Sequence, residues 1–232
     1  MVELNVLASG GFRGAYLVAI EGFERATGHT TVNSWGGSVG DAPTSIPSRV
    51  KAGEVLDVVI MSAEGLDALT EQGRVVAGSR VDLARGGIGV IVRAGAPRPD
   101  ITSADAMKRA LVEAPSIMFS NGASVGLILG MVEQLGLTDV VSAKRVQGAT
   151  GSVPEIVGRG DAAIGLQLIS ELIGMPGVDF VGPLPPEVQA FTVFSGGIPA
   201  TAQHPEAARA LLEYLSSPAV ASAIVASGME PC

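Results

Sequence analysis

Five loops of this chain carry residue types that could hold a small anion. The first, Ser9-Gly10-Gly11-Phe12-Arg13-Gly14, follows the apolar run Leu4-Asn5-Val6-Leu7-Ala8. The others are Gly36-Gly37-Ser38-Val39-Gly40, Ser62-Ala63-Glu64, Ser120-Asn121-Gly122-Ala123-Ser124 and Gln147-Gly148-Ala149-Thr150-Gly151-Ser152. A strand that stops in small polar residues and feeds a helix leaves backbone N–H groups unpaired where the helix dipole favours negative charge. Arg13 adds a permanent charge with a fork of donors suited to carboxylates and other oxyanions. A cation in the first turn of a helix opposes the dipole by a few tenths of a kcal/mol, so helix stability does not explain Arg13 and an anionic ligand would. The plainer reading is a solvated arginine whose stem covers apolar surface. For Ser38, Ser120, Asn121, Ser124 and Thr150 the plainer reading is helix N-capping, worth ~1 kcal/mol each. The two readings are compatible, because capping and binding positions are adjacent in such loops.

Proton chemistry would fall to carboxylates. Asp41 and Glu64 come just after two of these loops, in the predicted first turn of a helix, and are the candidate catalytic bases. Asp161 lies in a Gly-Asp-Ala turn away from the loops. The order of residues holds no Ser-His-Asp triad, no cysteine nucleophile in a plausible cleft, no metal-ligand spacing and no phosphate-loop or dinucleotide fingerprint. No cofactor and no metal are therefore expected. His29 and His204 read as surface residues, and the single cysteine, Cys232, ends the chain.

The elements that must position these loops follow from composition and pattern. With 232 residues, 47% of them hydrophobic and 16% charged, the chain can bury a sizeable core. A net charge of −8 and 4% aromatic residues argue against nucleic acid and against base-stacking platforms. No run approaches the ~18 apolar residues of a membrane span. Met1 leads straight into the first strand without a leader pattern. That suggests a cytoplasmic protein if Met1 is the natural start, and a periplasmic one if a leader has been removed.

Three strand-loop-helix units open the chain: strands at 4–8, 30–35 and 56–61, with helices at 15–25, 42–52 and 66–72. The run Leu56-Asp57-Val58-Val59-Ile60-Met61 is continuous enough for a parallel strand buried on both faces. The middle continues with strands at 87–92, 116–119, 143–146 and 162–168, and helices at 103–113, 125–135 and 154–159. Strands at 178–183 and 191–198 and helices at 205–215 and 218–226 complete the chain. The pattern is α/β and doubly wound, with ligands expected beyond the carboxyl ends of the strands.

The order of these pieces resembles the periplasmic binding protein-like type II fold, and within it the molybdate-binding proteins of transport systems. The resemblance rests on the Ser/Gly-loop start, on Ser34-Trp35-Gly36-Gly37-Ser38, and on Arg49-Val50-Lys51-Ala52-Gly53 with Asp57-Val58-Val59-Ile60 and Ser62-Ala63. It continues through Leu135-Gly136-Leu137, the run Ile156-Val157-Gly158-Arg159-Gly160-Asp161-Ala162-Ala163-Ile164-Gly165, His204-Pro205-Glu206-Ala207-Ala208 and Gly228-Met229-Glu230-Pro231. It implies two lobes, 1–83 plus 197–232 and 84–196, each a mainly parallel sheet flanked by helices, with the ligand in a cleft between them. It implies a small tetrahedral oxyanion held by hydroxyls and backbone N–H groups.

Several positions depart from that family. Gly11 stands where a serine is expected, and Leu168, with Gln167 beside it, where a tyrosine is often found; Ser38 is kept. Ala63, Ser124 and Thr150 fall where the family uses backbone N–H groups. Two side-chain donors to a tetrahedral anion are thus missing while Arg13 is added, which turns the expectation toward a carboxylate or related organic anion. The ligand residues expected are Ser9, Gly10, Gly11, Arg13, Gly37, Ser38, Ser62, Ala63, Ser120, Asn121, Ser124, Thr150 and Gln167. The first functional reading is a solute-binding protein, with a transporter as partner if it is exported. The alternative is an intracellular isomerase or dehydratase that moves a proton on a small organic acid. A cytoplasmic ligand sensor is a third.

Overall fold

A computed structural model describes residues 1–119 and 121–232 of the chain. It is built as two compact units, Met1–Gly86 with Thr192–Cys232 and Gly87–Phe191. In chain order the elements are β1 (Glu3–Ser9), α1 (Arg13–Thr27), β2 (Thr30–Gly36), α2 (Ile46–Lys51), β3 (Val58–Ser62), α3 (Ala63–Glu71) and β4 (Val81–Arg93). They continue with α4 (Ala104–Glu113), β5 (Ile117–Met118), α5 (Val125–Gln134), α6 (Thr138–Lys144), α7 (Val153–Arg159), β6 (Ile164–Leu168) and β7 (Val178–Pro183). The chain closes with β8 (Phe191–Gly197), α8 (Pro205–Leu215), α9 (Ala221–Ala226) and β9 (Met229–Pro231).

In the first unit β1 lies between β2 and β3, all three parallel. Antiparallel β8 follows on the far side of β3, and β9 pairs with residues 84–86 of β4. Every residue of β3 is buried, as a parallel strand covered on both faces requires. Successive side chains of a strand point to opposite faces. Leu7, Val59 and Met61 accordingly join Ile46, Val50, Leu66 and Leu69 in one apolar cluster beneath α2 and α3. Asp57, 1% exposed, ties the opposite end of the sheet together. Its carboxylate accepts from the N–H groups of Asn5, Gln203 and His204, each at 2.9 Å.

In the second unit β6 and β7 pair antiparallel with β4, and β5 pairs parallel with β6. Ile91, Val153, Ile156, Val157, Ala162 and Leu172 form its core cluster. Helix α7 starts in a capping box: the Ser152 hydroxyl accepts from the Glu155 N–H, and the Glu155 carboxylate accepts from the Ser152 N–H.

Two expected elements differ. The helix predicted over 42–52 begins only at Ile46. Gly40 sits at φ +88°, and Ser45 caps the helix by accepting from the Ser48 N–H. The segment 37–45 is therefore a loop. The strand predicted over 143–146 is instead the end of α6 followed by an isolated bridge from Arg145 to Ile117. Of residues 143–146 only Val146 favours a strand, and Ala143 and Lys144 instead complete α6, which buries Val141 on one face.

Candidate functional site

Parallel neighbours end at the same edge, so β1, β2 and β3 deliver three of the predicted loops together. Ser9 is paired with Gly36, and Ala8 with Ile60. Past that edge lie Gly10 and Gly11 in a 3₁₀ turn, Gly37 and Ser38, and Ser62 with Ala63. The loops touch directly. The buried Ser38 hydroxyl accepts from the Ser62 N–H at 3.2 Å. A methyl group at Gly65, in the first turn of α3, would come within 3.2 Å of the Ser38 carbonyl oxygen, so only a glycine lets loop and helix approach this closely.

Ser9 and Ser62 are each 5% exposed and stand immediately before a helix, yet neither hydroxyl caps it. Capping elsewhere in the chain is carried by Ser45, Ser103 and Ser152. This removes capping as the reason for a serine at positions 9 and 62. Arg13 opens α1 and is exposed, with its guanidinium 5.0 Å from the Trp35 ring centroid. Stacking of this kind is worth about 0.5–1 kcal/mol at exposed sites, enough to offset the opposed dipole. Trp35 in turn packs edge-on against Tyr16, whose hydroxyl donates to Asn33 Oδ1 at 2.6 Å. Burial holds the Tyr16 phenol above its ordinary pKa, so it stays neutral. Arg13 is thus aimed by an aromatic base and makes no ion pair with a carboxylate among the described residues.

Glu64 is exposed in the first turn of α3. Asp41 is exposed as well, but it is not in a helix: the late start of α2 leaves it in the loop, four residues ahead of Ser45.

In the second unit, Ser124 is 1% exposed and precedes α5 without capping it. Asn121 Oδ1 accepts from Arg145 Nη2 at 2.7 Å. Thr150 is exposed, and its carbonyl accepts from Arg159. Gln167 lies on β6 and donates to Glu171 Oε2 at 2.9 Å. Burial raises the Glu171 carboxyl above the usual range, against a smaller lowering by Gln167. Ser120 lies outside the described residues.

The sequence did not single out Trp35, Arg145 or Glu171 as site groups. Trp35 carried a signal, as the only tryptophan of the chain one residue before a Gly-Gly-Ser loop. Arg145 was read as a strand residue, and Glu171 depends on a long-range burial that no local pattern reveals. Both histidines line a cavity of about 470 Å³ at the amino end of β1, with Val2 and Glu206. His29 Nδ1 accepts from the Val2 N–H at 3.1 Å. No cluster of three or more metal-ligating side chains occurs among the described residues, and no helix there is long and apolar enough to cross a membrane.

Comparison with known proteins bears on the fold and the family. The chain is 41% identical to an aconitate isomerase of a Pseudomonas species, over all of this chain and 88% of that protein. Its fold matches the periplasmic molybdate-binding protein of Azotobacter vinelandii with a TM-score of 0.75 at 22% identity, over 97% of this chain and 98% of that one. It matches a sulfate-binding protein of Mycobacterium tuberculosis with a TM-score of 0.77 at 17% identity, over 100% and 87%. The expected type II periplasmic-binding fold with molybdate-binding relatives is thereby shown. The family match spans residues 4–230, and its description as extracellular bears on the periplasmic branch of the localisation expectation and not on the cytoplasmic one. On these grounds the chain belongs to the bacterial extracellular solute-binding protein family, whose members take small solutes.

Proposed function

We propose that this protein binds a small organic polycarboxylate and interconverts its cis and trans unsaturated forms, with aconitate the substrate. The observation that carries the reading is Arg13: a guanidinium without a carboxylate partner among the described residues, stacked on Trp35, at the edge where Ser9, Ser38 and Ser62 converge. The 41% identity to an aconitate isomerase supplies the substrate. A site built on a fork of donors favours planar carboxylates.

The chemistry is an allylic proton shift. Aconitate is a propene tricarboxylate whose methylene carbon lies between the double bond and a carboxylate. A base removes one methylene proton, and the electron pair spreads through the allyl system onto carboxylate oxygens. Return of a proton to the former vinylic carbon moves the double bond by one position, with the new geometry set by the conformer held. Atoms and electrons balance with no other reactant. Arg13, the hydroxyls of Ser9, Ser38 and Ser62 and the N–H groups at the start of α3 stabilise the developing negative charge. Glu64 is the base, and Asp41, in the loop before α2, the alternative carboxylate.

The test is to incubate the protein separately with trans- and cis-aconitate and follow each by chromatography. Approach to one common ratio from both sides supports the reading. Glu64→Gln should slow it by about 10²- to 10⁴-fold, and Arg13→Gln should raise KM. The family membership favours a second reading, capture of the acid for a transporter without turnover. Tight binding with no interconversion would select it.

A further inference from the structure

We propose that Arg145 is a carboxylate anchor in the second unit and selects polycarboxylates. The inference rests on the organic-acid reading above. Arg145 follows α6, and its guanidinium lies 4.0 Å from the Phe119 ring centroid. Nη2 donates to the Phe119 carbonyl at 3.3 Å and to Asn121 Oδ1 at 2.7 Å. Ring and acceptors together fix the plane of the guanidinium, while Nε and Nη1 have no hydrogen-bond partner among the described residues. The same side chain lines two cavities, of about 470 and 370 Å³. The larger is walled by Leu129, Val132 and Val141 and the smaller by Met118, Gln147 and Ala149. Glu133 also lines the larger one but forms no ion pair with Arg145.

A half-buried guanidinium without a counter-charge among the described residues is unusual in a chain of net charge −8. Its stem does not explain it, since a lysine or methionine would cover Phe119 as well; a held guanidinium whose Nε–H and Nη1–H groups remain to donate, lining open volume, does fit a carboxylate. Because the group is already oriented, little ordering cost is left for binding to overcome.

The experiment is calorimetry on the full chain with two unreactive acids: tricarballylate, the saturated tricarboxylate, and glutarate, which lacks its central carboxylate. Wild type should prefer tricarballylate. In Arg145→Gln the affinity for tricarballylate should fall by about 10- to 100-fold, the range for a charge-assisted hydrogen bond, and the preference over glutarate should collapse. Arg145→Lys, which keeps the charge and loses the planar, oriented donors, should fall between, and serves alone if the glutamine variant does not fold. An unchanged preference in a folded variant overturns the proposal, as does equal weakening of both acids, the sign of a purely structural latch. Absence of tricarballylate binding by wild type overturns it together with the organic-acid reading. An Arg145-dependent preference without aconitate turnover would leave the anchor standing and remove only the isomerase.

Discussion

Gly36 is the position where one methyl group tests how the unit 1 site is held. A Cβ there would lie 2.7 Å from the Thr44 carbonyl oxygen, 3.2 Å from the Ile46 nitrogen and 3.1 Å from Ile46 Cγ1. Carbon and carbonyl oxygen normally approach to about 3.3 Å, so backbone must shift by about 0.6 Å. The loop resists that shift, because the Ile46 N–H donates to Gly37, the Ser45 N–H to Ala42, and Ile46 is fully buried. Overpacking costs about 1–3 kcal/mol, and loss of glycine's freedom in the unfolded chain returns about 0.4–1. Gly36→Ala should therefore destabilise by about 1–2 kcal/mol. The same shift would break the 3.2 Å contact from the Ser62 N–H to Ser38, so ligand affinity should fall as well. Urea denaturation read by Trp35 fluorescence measures the first effect, and calorimetry the second. Gly37→Ala is the control, since its nearest neighbour, the Val39 carbonyl oxygen, is at an ordinary 3.5 Å. If the two variants lose equal stability, or Gly36→Ala loses none, the close-approach reasoning is wrong.

Three further outcomes are expected. Asp57→Ala strands three N–H groups at the base of unit 1 and should cost about 3–5 kcal/mol in denaturant, against a smaller loss for Asp57→Asn. Ser45→Ala removes the cap of α2 and should cost about 1–2 kcal/mol by the same measurement. Glu171 has a folded-state pKa raised by burial, so its ionised form is the costly one, and wild-type stability should decline as pH rises from the ordinary carboxylate range through the raised value. Glu171→Gln should then raise Tm at pH 8 and lose that advantage near the usual carboxylate pKa of about 4.3; an equal or lower Tm at pH 8 would contradict this.

The parts of the fold legible in the sequence were those with a local signature. The run at 56–61 looks buried on both faces and is; Ser103 looks like a cap and is; Gly136 closes α5 at φ +68°. Misreadings came where local preference was outvoted. Residues 143–146 were read as a strand, yet Ala143 and Lys144 belong to α6, whose one face buries Val141. Pro43 and Pro47 were the signal against a helix starting at 42: Pro47 is tolerated only in a first turn, which places the cap at Ser45. The meeting of three loops at one edge of unit 1 was legible, because Ser9-Gly10-Gly11, Gly36-Gly37-Ser38 and Ser62-Ala63 each end an expected strand. Arg145 was not, because its meaning lies in contacts with Phe119 and Asn121, more than 20 residues away in sequence.

The central claim is that a proton is moved on a bound organic acid. It is tested most directly by proton NMR of trans-aconitate with the protein in D₂O. The account predicts appearance of cis-aconitate with loss of the methylene and vinyl proton signals to solvent deuterium or their exchange for each other, neither occurring without protein and both slowed about 10²- to 10⁴-fold with Glu64→Gln. Unchanged trans-aconitate, with its methylene signal intact at a protein concentration that binds it, would contradict the account.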